Sequence, residues 1–224
     1  MSGDLSAFAV LCPTNFICEH VNAKIVEKLG GTSVELRSID EVVCDSLEES
    51  AQLTTVFPNE FLNSKTPNGL PPHMLRLKKG TIVVLLRNLN PKEGLCNGTR
   101  LRVEHIRTSV LTATVLTGPK TGNVILLPRI TLIADDSALP CKLSRYQFPI
   151  RVAFAMTINK AQGQTLERVG IYLPQKVFSH GQLYVALSRA RRQSSVKVCI
   201  EHSLPQPLKR RSGFTANIVY REIL

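Results

Sequence analysis

Three short polar runs each sit beside an apolar stretch, and each carries side chains suited to phosphate. The longest is Ala155-Met156-Thr157-Ile158-Asn159-Lys160-Ala161-Gln162-Gly163-Gln164-Thr165-Leu166-Glu167. Its hydroxyl, amide and ammonium groups all bond phosphate or sugar oxygens, and Gly163 permits close approach of a ligand to the backbone. The second is His180-Gly181-Gln182-Leu183-Tyr184-Val185-Ala186-Leu187-Ser188-Arg189-Ala190-Arg191-Arg192, an apolar helical pattern ending in arginines. A guanidinium fork held there is placed to meet a phosphate. The third is Leu11-Cys12-Pro13-Thr14-Asn15. Each also has a plainer reading. The first suits an ordinary polar turn after a strand, the arginines can complement a helix C-terminus, and Asn15 can be an N-cap. Residue chemistry alone leaves both readings open.

The elements that must position these runs follow from hydrophobic pattern. Ala7–Cys12 is a continuous apolar run, as expected of a strand buried on both faces of a parallel sheet. Ile17, Val21, Ile25 and Leu29 recur every four residues and predict a helix face, closed by Gly30-Gly31. From about Ser46 to Leu75 periodicity is lost among Pro, Asn and Ser, which predicts a connector rather than an element. Short strands are then expected at 81–86, 99–106, 110–116 and 123–127, with Gly118–Gly122 as a hairpin loop. Strand-like runs return at Val152–Met156, Val169–Leu173 and Val196–Ile200, with a helix over Gly181–Arg189 between the last two. Strands alternating with helices predict an α/β fold with a parallel sheet, interrupted by a small β insertion. Each of the three polar runs then lies beside a strand or helix end, and two of them at C-terminal strand ends, where such sheets bind ligands.

Composition narrows the partners. Of 224 residues, 43% are hydrophobic and 20% charged, as in ordinary globular chains. No apolar stretch has the length of a membrane span, and the N-terminus lacks a secretory pattern, so no membrane partner is expected. Lysine and arginine outnumber the acidic residues by 28 − 17 = 11, which favours a polyanion. The six cysteines (12, 18, 44, 96, 141, 199) form no Cys-x-x-Cys pair and are expected to be reduced, partly buried thiols of a reducing compartment. The five histidines show no ligand spacing, so no metal site is predicted.

Taken in order, the three runs resemble the PIF (petite integration frequency) helicase family, in the branch carried by Helitron transposons. Leu11–Asn15 is similar to its fourth helicase motif, Thr157–Glu167 to its fifth, and Tyr184–Arg189 to its sixth. Phe61–Ser64 and Gly69–His73 resemble that branch's connector. Leu85–Pro91 and Gly94–Arg100 resemble its inserted domain, and Asn217–Glu222 its terminus. The resemblance implies a second RecA-like motor domain, a parallel sheet flanked by helices, with an inserted SH3-like β-barrel. Its parts would be 1–45 and 135–224 for the RecA-like domain, 46–77 for the connector and 78–134 for the barrel.

In this family two RecA-like domains clamp ATP. By motif, Arg189 would be the arginine that stabilises charge on the terminal phosphate. Gly163, Gln164 and Glu167 would line the nucleotide side of the cleft. Thr14, Asn15, Thr157, Asn159, Lys160 and Gln162 would hold single-stranded DNA. Asn159 stands where many relatives carry His, and Ala161 replaces a frequent Ser. The phosphate loop, magnesium ligand and catalytic carboxylate belong to the family's first domain, and these residues contain no Gly-Lys dipeptide with which to build that loop. The single Asp-Glu pair, Asp40-Glu41, follows a charged alternating segment and reads as surface rather than as a magnesium site. ATP and Mg2+ are therefore expected to bind only when a phosphate-loop RecA-like domain completes the site, and the chain alone is expected to lack ATPase activity. Two classes of function remain: the C-terminal half of an ATP-dependent DNA helicase, or a non-catalytic module that binds single-stranded DNA or partners a helicase. The family resemblance implies a nuclear location.

Overall fold

The computed structural model describes residues 8–43, 57–134 and 142–201. The chain divides into two compact units, one formed by residues up to Glu27 with those from Ala153 onward, the other by Lys28–Val152. The RecA-like parts are expected at 1–45 and 135–224, with 46–77 and 78–134 between them; the compact units divide at 27/28 and 152/153.

The first unit opens with β1 (Phe8–Cys12) and α1 (Asn15–Lys28). Ala9 and Leu11 enter one cluster with Ile158, Ala161, Leu166 and Ala186, while Cys12 enters another with Ile17 and Cys18. Alternate residues of β1 thus face two separate cores, which accounts for its unbroken apolar run. Helix α1 buries Ile17, Cys18, Asn22 and Val26. The buried seam is therefore rotated from the Ile17–Val21–Ile25–Leu29 line expected from the pattern, because the polar Asn22 takes a central place. Its amide Nδ2 donates to the Ala155 carbonyl (3.1 Å) and its Oδ1 accepts from the Ala155 amide (2.7 Å).

The second unit contains β2 (Val34–Arg37), β3 (Ile39–Val43), α2 (Asn59–Ser64), β4 (Met74–Leu77), β5 (Ile82–Leu85), β6 (Arg100–Ile106), β7 (Val110–Val115), β8 (Val124–Pro128), β9 (Ile130–Ala134), β10 (Lys142–Gln147) and β11 (Ile150–Val152). Helix α2 lies inside the segment expected to hold no element. A five-stranded antiparallel sheet has the order β11-β5-β6-β7-β8, with β7 and β8 forming the expected hairpin. It takes β11 from outside 78–134, while β9, inside that range, joins β10 and β3 in a three-stranded sheet.

Asp40 contradicts the surface assignment. It pairs with Arg145 through Nε (2.8 Å) and Nη2 (2.6 Å), and neither side chain reaches solvent. Arg145 also donates to the carbonyls of Pro71 (2.9 Å) and Leu62 (3.1 Å). The Ser38 hydroxyl donates to Asp40 Oδ1 (2.7 Å) and lies 2.8 Å from His73 Nδ1. Having given its one proton to Asp40, Ser38 must accept from His73. Adjacent Glu41 is exposed, as expected.

The run Val152–Met156, expected as one strand, is split. Val152 ends β11, paired with β5, and Ala155 begins β12 (Ala155–Thr157), which pairs with β1. The chain thus changes unit within an apolar stretch that carries no Gly or Pro to mark the break. Then follow β13 (Arg168–Leu173), α3 (Gln182–Leu187) and β14 (Val196–Ile200). The four-stranded sheet has order β12-β1-β13-β14, all parallel.

Candidate functional site

Strands β1 and β12 lie side by side in register, Cys12 opposite Thr157. The Ile158 amide donates to the Cys12 carbonyl (3.0 Å), so the turn after β12 is fastened to the end of β1. The sheet therefore brings Thr14 and Asn15 to the same C-terminal edge as Thr157, Asn159, Lys160 and Gln162. A single 3-10 turn, Asn159–Ala161, buries Ala161 fully and leaves Asn159 and Lys160 exposed, with Gln162 exposed after it. Asn22, which the sequence reading passed over, clamps Ala155 at the start of β12 and so positions this turn. A mid-helix Asn gives no local sign of such a role.

The hydroxyls of the set serve the backbone first. Thr14 Oγ1 accepts from the Ile17 amide at 3.4 Å, so Thr14 takes the N-cap role that the pattern offered to Asn15. Asn15 is instead the first helical residue, and it is exposed. Thr157 Oγ1 likewise accepts from the Lys160 amide (3.4 Å) in a mostly buried position. Each hydroxyl keeps its proton for a further acceptor.

The residues expected on the nucleotide side gather around Arg189, just past α3. Its Nη1 donates to the carbonyls of Gln164 (3.1 Å) and Ala161 (3.5 Å), its Nε to Val185 O (2.9 Å), and its Nη2 to Ser188 Oγ (2.8 Å). The Leu166 amide donates to the Arg189 carbonyl (2.9 Å). Side chain and backbone thus tie the loop after β12 to the end of α3. Gly163, at this loop's exposed apex, has φ +78°, a conformation that side chains strain to adopt. Gln164 is half-buried, and its Nε2 braces the loop by donating to Lys160 O (3.1 Å). Glu167 is exposed and further along the chain, outside the group that Arg189 bonds.

Charge in the site bears on two thiols. A hydrogen bond with Cys18 and burial push the Cys12 thiol above its ordinary value. The hydrogen bond from Cys12 and the nearby Lys160 ammonium draw Cys18 below its own, against burial. Cys12, Cys18, Cys96 and Cys199 are free; Cys44 and Cys141 lie outside the described residues. Among the described residues no cluster of His, Cys, Asp and Glu has the make-up of a metal site, and no helix is long and apolar enough to cross a membrane. A cavity of about 400 Å³ beside the end of α3, between Leu187, Arg191, Arg192 and Val198, touches none of the expected site residues.

Comparison with known proteins gives consistent matches. The family described as DNA helicase Pif1, 2B domain, matches residues 60–106. The chain is 41% identical over 128 residues to the ATP-dependent DNA helicase PIF1 of Homo sapiens, an alignment covering 56% of this chain and 19% of that protein. It thus spans about a fifth of that relative's length. The crystal structure of Pif1 helicase from Candida albicans superimposes with a TM-score of 0.63 at 24% identity, over 86% of this chain and 45% of that one. Bacteroides Pif1, in a crystal structure bound to ssDNA, gives 0.60 at 25% identity, over 85% and 40%. In sequence and in fold, the chain is similar to helicases of the PIF family.

Proposed function

We propose that these residues form the second RecA-like motor domain, with its SH3-like insertion, of an ATP-dependent DNA helicase of the Helitron branch. Single-stranded DNA would lie along Thr14, Asn15, Thr157, Asn159, Lys160 and Gln162. A phosphate-loop domain outside these residues would present ATP and Mg2+ opposite Gly163, Gln164 and Arg189. The observation that carries this reading is the loop after β12, one face of which is fastened to the end of β1 and the other to Arg189. A displacement caused by phosphate contact at one face reaches the other through bonded groups. The ssDNA held by Bacteroides Pif1 supports the choice of strand, and a nuclear place of action is proposed on the family resemblance alone. Arg189 would trade its carbonyl partners for phosphate oxygens on domain closure, adding positive charge where the transition state gathers negative charge.

A second reading, a passive single-strand binder or helicase partner, draws on Arg189's present bonds and the net charge of +11. One experiment addresses both. Anisotropy of labelled oligo(dT), without nucleotide, is expected to show saturable binding that weakens with salt, and Lys160→Ala to lower the salt slope by about 1. ATP turnover on mixing with a phosphate-loop half from a PIF helicase would then favour the motor. Binding without turnover would favour the passive module, and no binding even at low salt would remove both.

A further inference from the structure

Helix α1 has its rotation set by the buried seam Ile17, Cys18, Asn22 and Val26. That seam turns Phe16 outward, where it is 80% exposed. A lone exposed phenylalanine is ordinary; its surroundings make this one informative. It directly follows Thr14 and Asn15. The turn carrying Asn159 and Lys160 is bonded to the end of the same strand through the Ile158 amide and Cys12 carbonyl. The Lys160 charge is felt at Cys18, within the same helical turn as Phe16. His20, one turn on, is also exposed.

An apolar ring beside hydroxyl, amide and ammonium groups matches a single strand, which offers an unpaired flat base next to each phosphate. A duplex keeps its bases stacked and offers no such face. We propose that Phe16 is a stacking platform for one unpaired base of a strand whose phosphates lie along Thr14, Asn15, Asn159 and Lys160, an inference that rests on the single-strand reading above. Stacking on a ring tolerates any base, so the platform adds affinity without sequence preference.

The chain contains no tryptophan, so Phe16→Trp creates a single fluorescent reporter at the platform. Saturating oligo(dT) is expected to quench its emission, and an abasic oligonucleotide of equal length to leave it nearly unchanged. Phe16→Ala is expected to weaken oligo(dT) binding by about 5- to 100-fold and abasic binding hardly at all. Because the ring is in solvent, matching circular dichroism melts are expected for wild type and Phe16→Ala. If Phe16→Ala binds oligo(dT) like wild type while Lys160→Ala binds more weakly, the platform is refuted and the phosphate surface stands. If the wild type binds neither oligonucleotide at low salt, the proposed function falls and the platform with it.

Discussion

Replacing Asp40 with alanine leaves the Arg145 guanidinium in the interior without its counter-charge. Both side chains are wholly buried, and the two contacts of 2.6 and 2.8 Å form a bidentate fork. The remaining bonds of Arg145 go to the Pro71 and Leu62 carbonyls, which are dipoles and cannot neutralise a full charge. Removing one partner of such a pair costs about 3–5 kcal/mol, a large share of the roughly 5–15 kcal/mol that holds a domain folded. Ser38 loses its acceptor as well. Arg145→Met with Asp40→Leu, which removes both charges, is expected to cost less than Asp40→Ala alone.

Urea unfolding, followed by hydrogen exchange at the amides of β3, β9 and β10, reads this unit directly. With a slope of about 2 kcal/mol per molar urea, Asp40→Ala should lower the midpoint by on the order of 2 M. A cost below about 1 kcal/mol would refute the account, because it means water already screens the pair. A double variant less stable than Asp40→Ala would refute it too, because the charge left on Arg145 would then not be the source of the cost.

Three further outcomes are expected. Thr14→Ala should cost about 0.5–1 kcal/mol in thermal melts through loss of the N-cap, and Asn15→Ala almost nothing; by anisotropy, Asn15→Ala should nevertheless weaken oligo(dT) binding. Burial raises the Glu104 carboxyl, but hydrogen bonds from Arg102 (2.8 Å) and Thr114 (2.9 Å) outweigh it and hold the group below its ordinary value of 4.5. A depressed carboxyl stabilises the fold above its unfolded value and loses that contribution as pH falls through its folded one. Wild type should therefore exceed Glu104→Gln in stability at neutral pH, and the gap should close as pH drops below about 4.5 in pH-dependent melts. Among the described cysteines, exposed Cys199 should be alkylated first and Cys12, buried and with its thiol pushed up from its ordinary value, last; timed mass spectrometry of iodoacetamide adducts measures the order.

What could be read from sequence was what local pattern encodes. The unbroken apolar run of β1 and the turn glycines between β7 and β8 each determine their element within a few residues. So does the chemistry of the loop after β12, since its polar run stands directly against the strand that delivers it. Asp40 could not be placed this way, because its partner lies 105 residues further on and nothing near it changes when it is buried. The same holds for Asn22, whose target is 133 residues away. Thr14 and Asn15 are both good caps, and pattern cannot decide between neighbours. The break within Val152–Met156 is made by pairing with two different sheets, which hydropathy does not see.

Arg189 joins these strands of reasoning. Motif alone presents it as a cation awaiting phosphate, whereas the structure has its Nε and Nη1 on three carbonyls. Two of those carbonyls, Ala161 and Gln164, belong to the loop that carries Gly163 and follows Lys160. On the proposed role, phosphate must outbid them, and it can, since a bond between two ions is roughly twice as strong as one to a neutral acceptor. The loop would then be released as the arginine turns to the nucleotide, giving the site a way to loosen its hold on DNA during turnover. Arg189→Ala should mimic that release without any nucleotide. Amides 161–166 are expected to exchange several-fold faster, while α1 and β13 keep their protection. Should the loop exchange at the wild-type rate, these bonds contribute nothing to its order, and coupling through Arg189 would have to be abandoned.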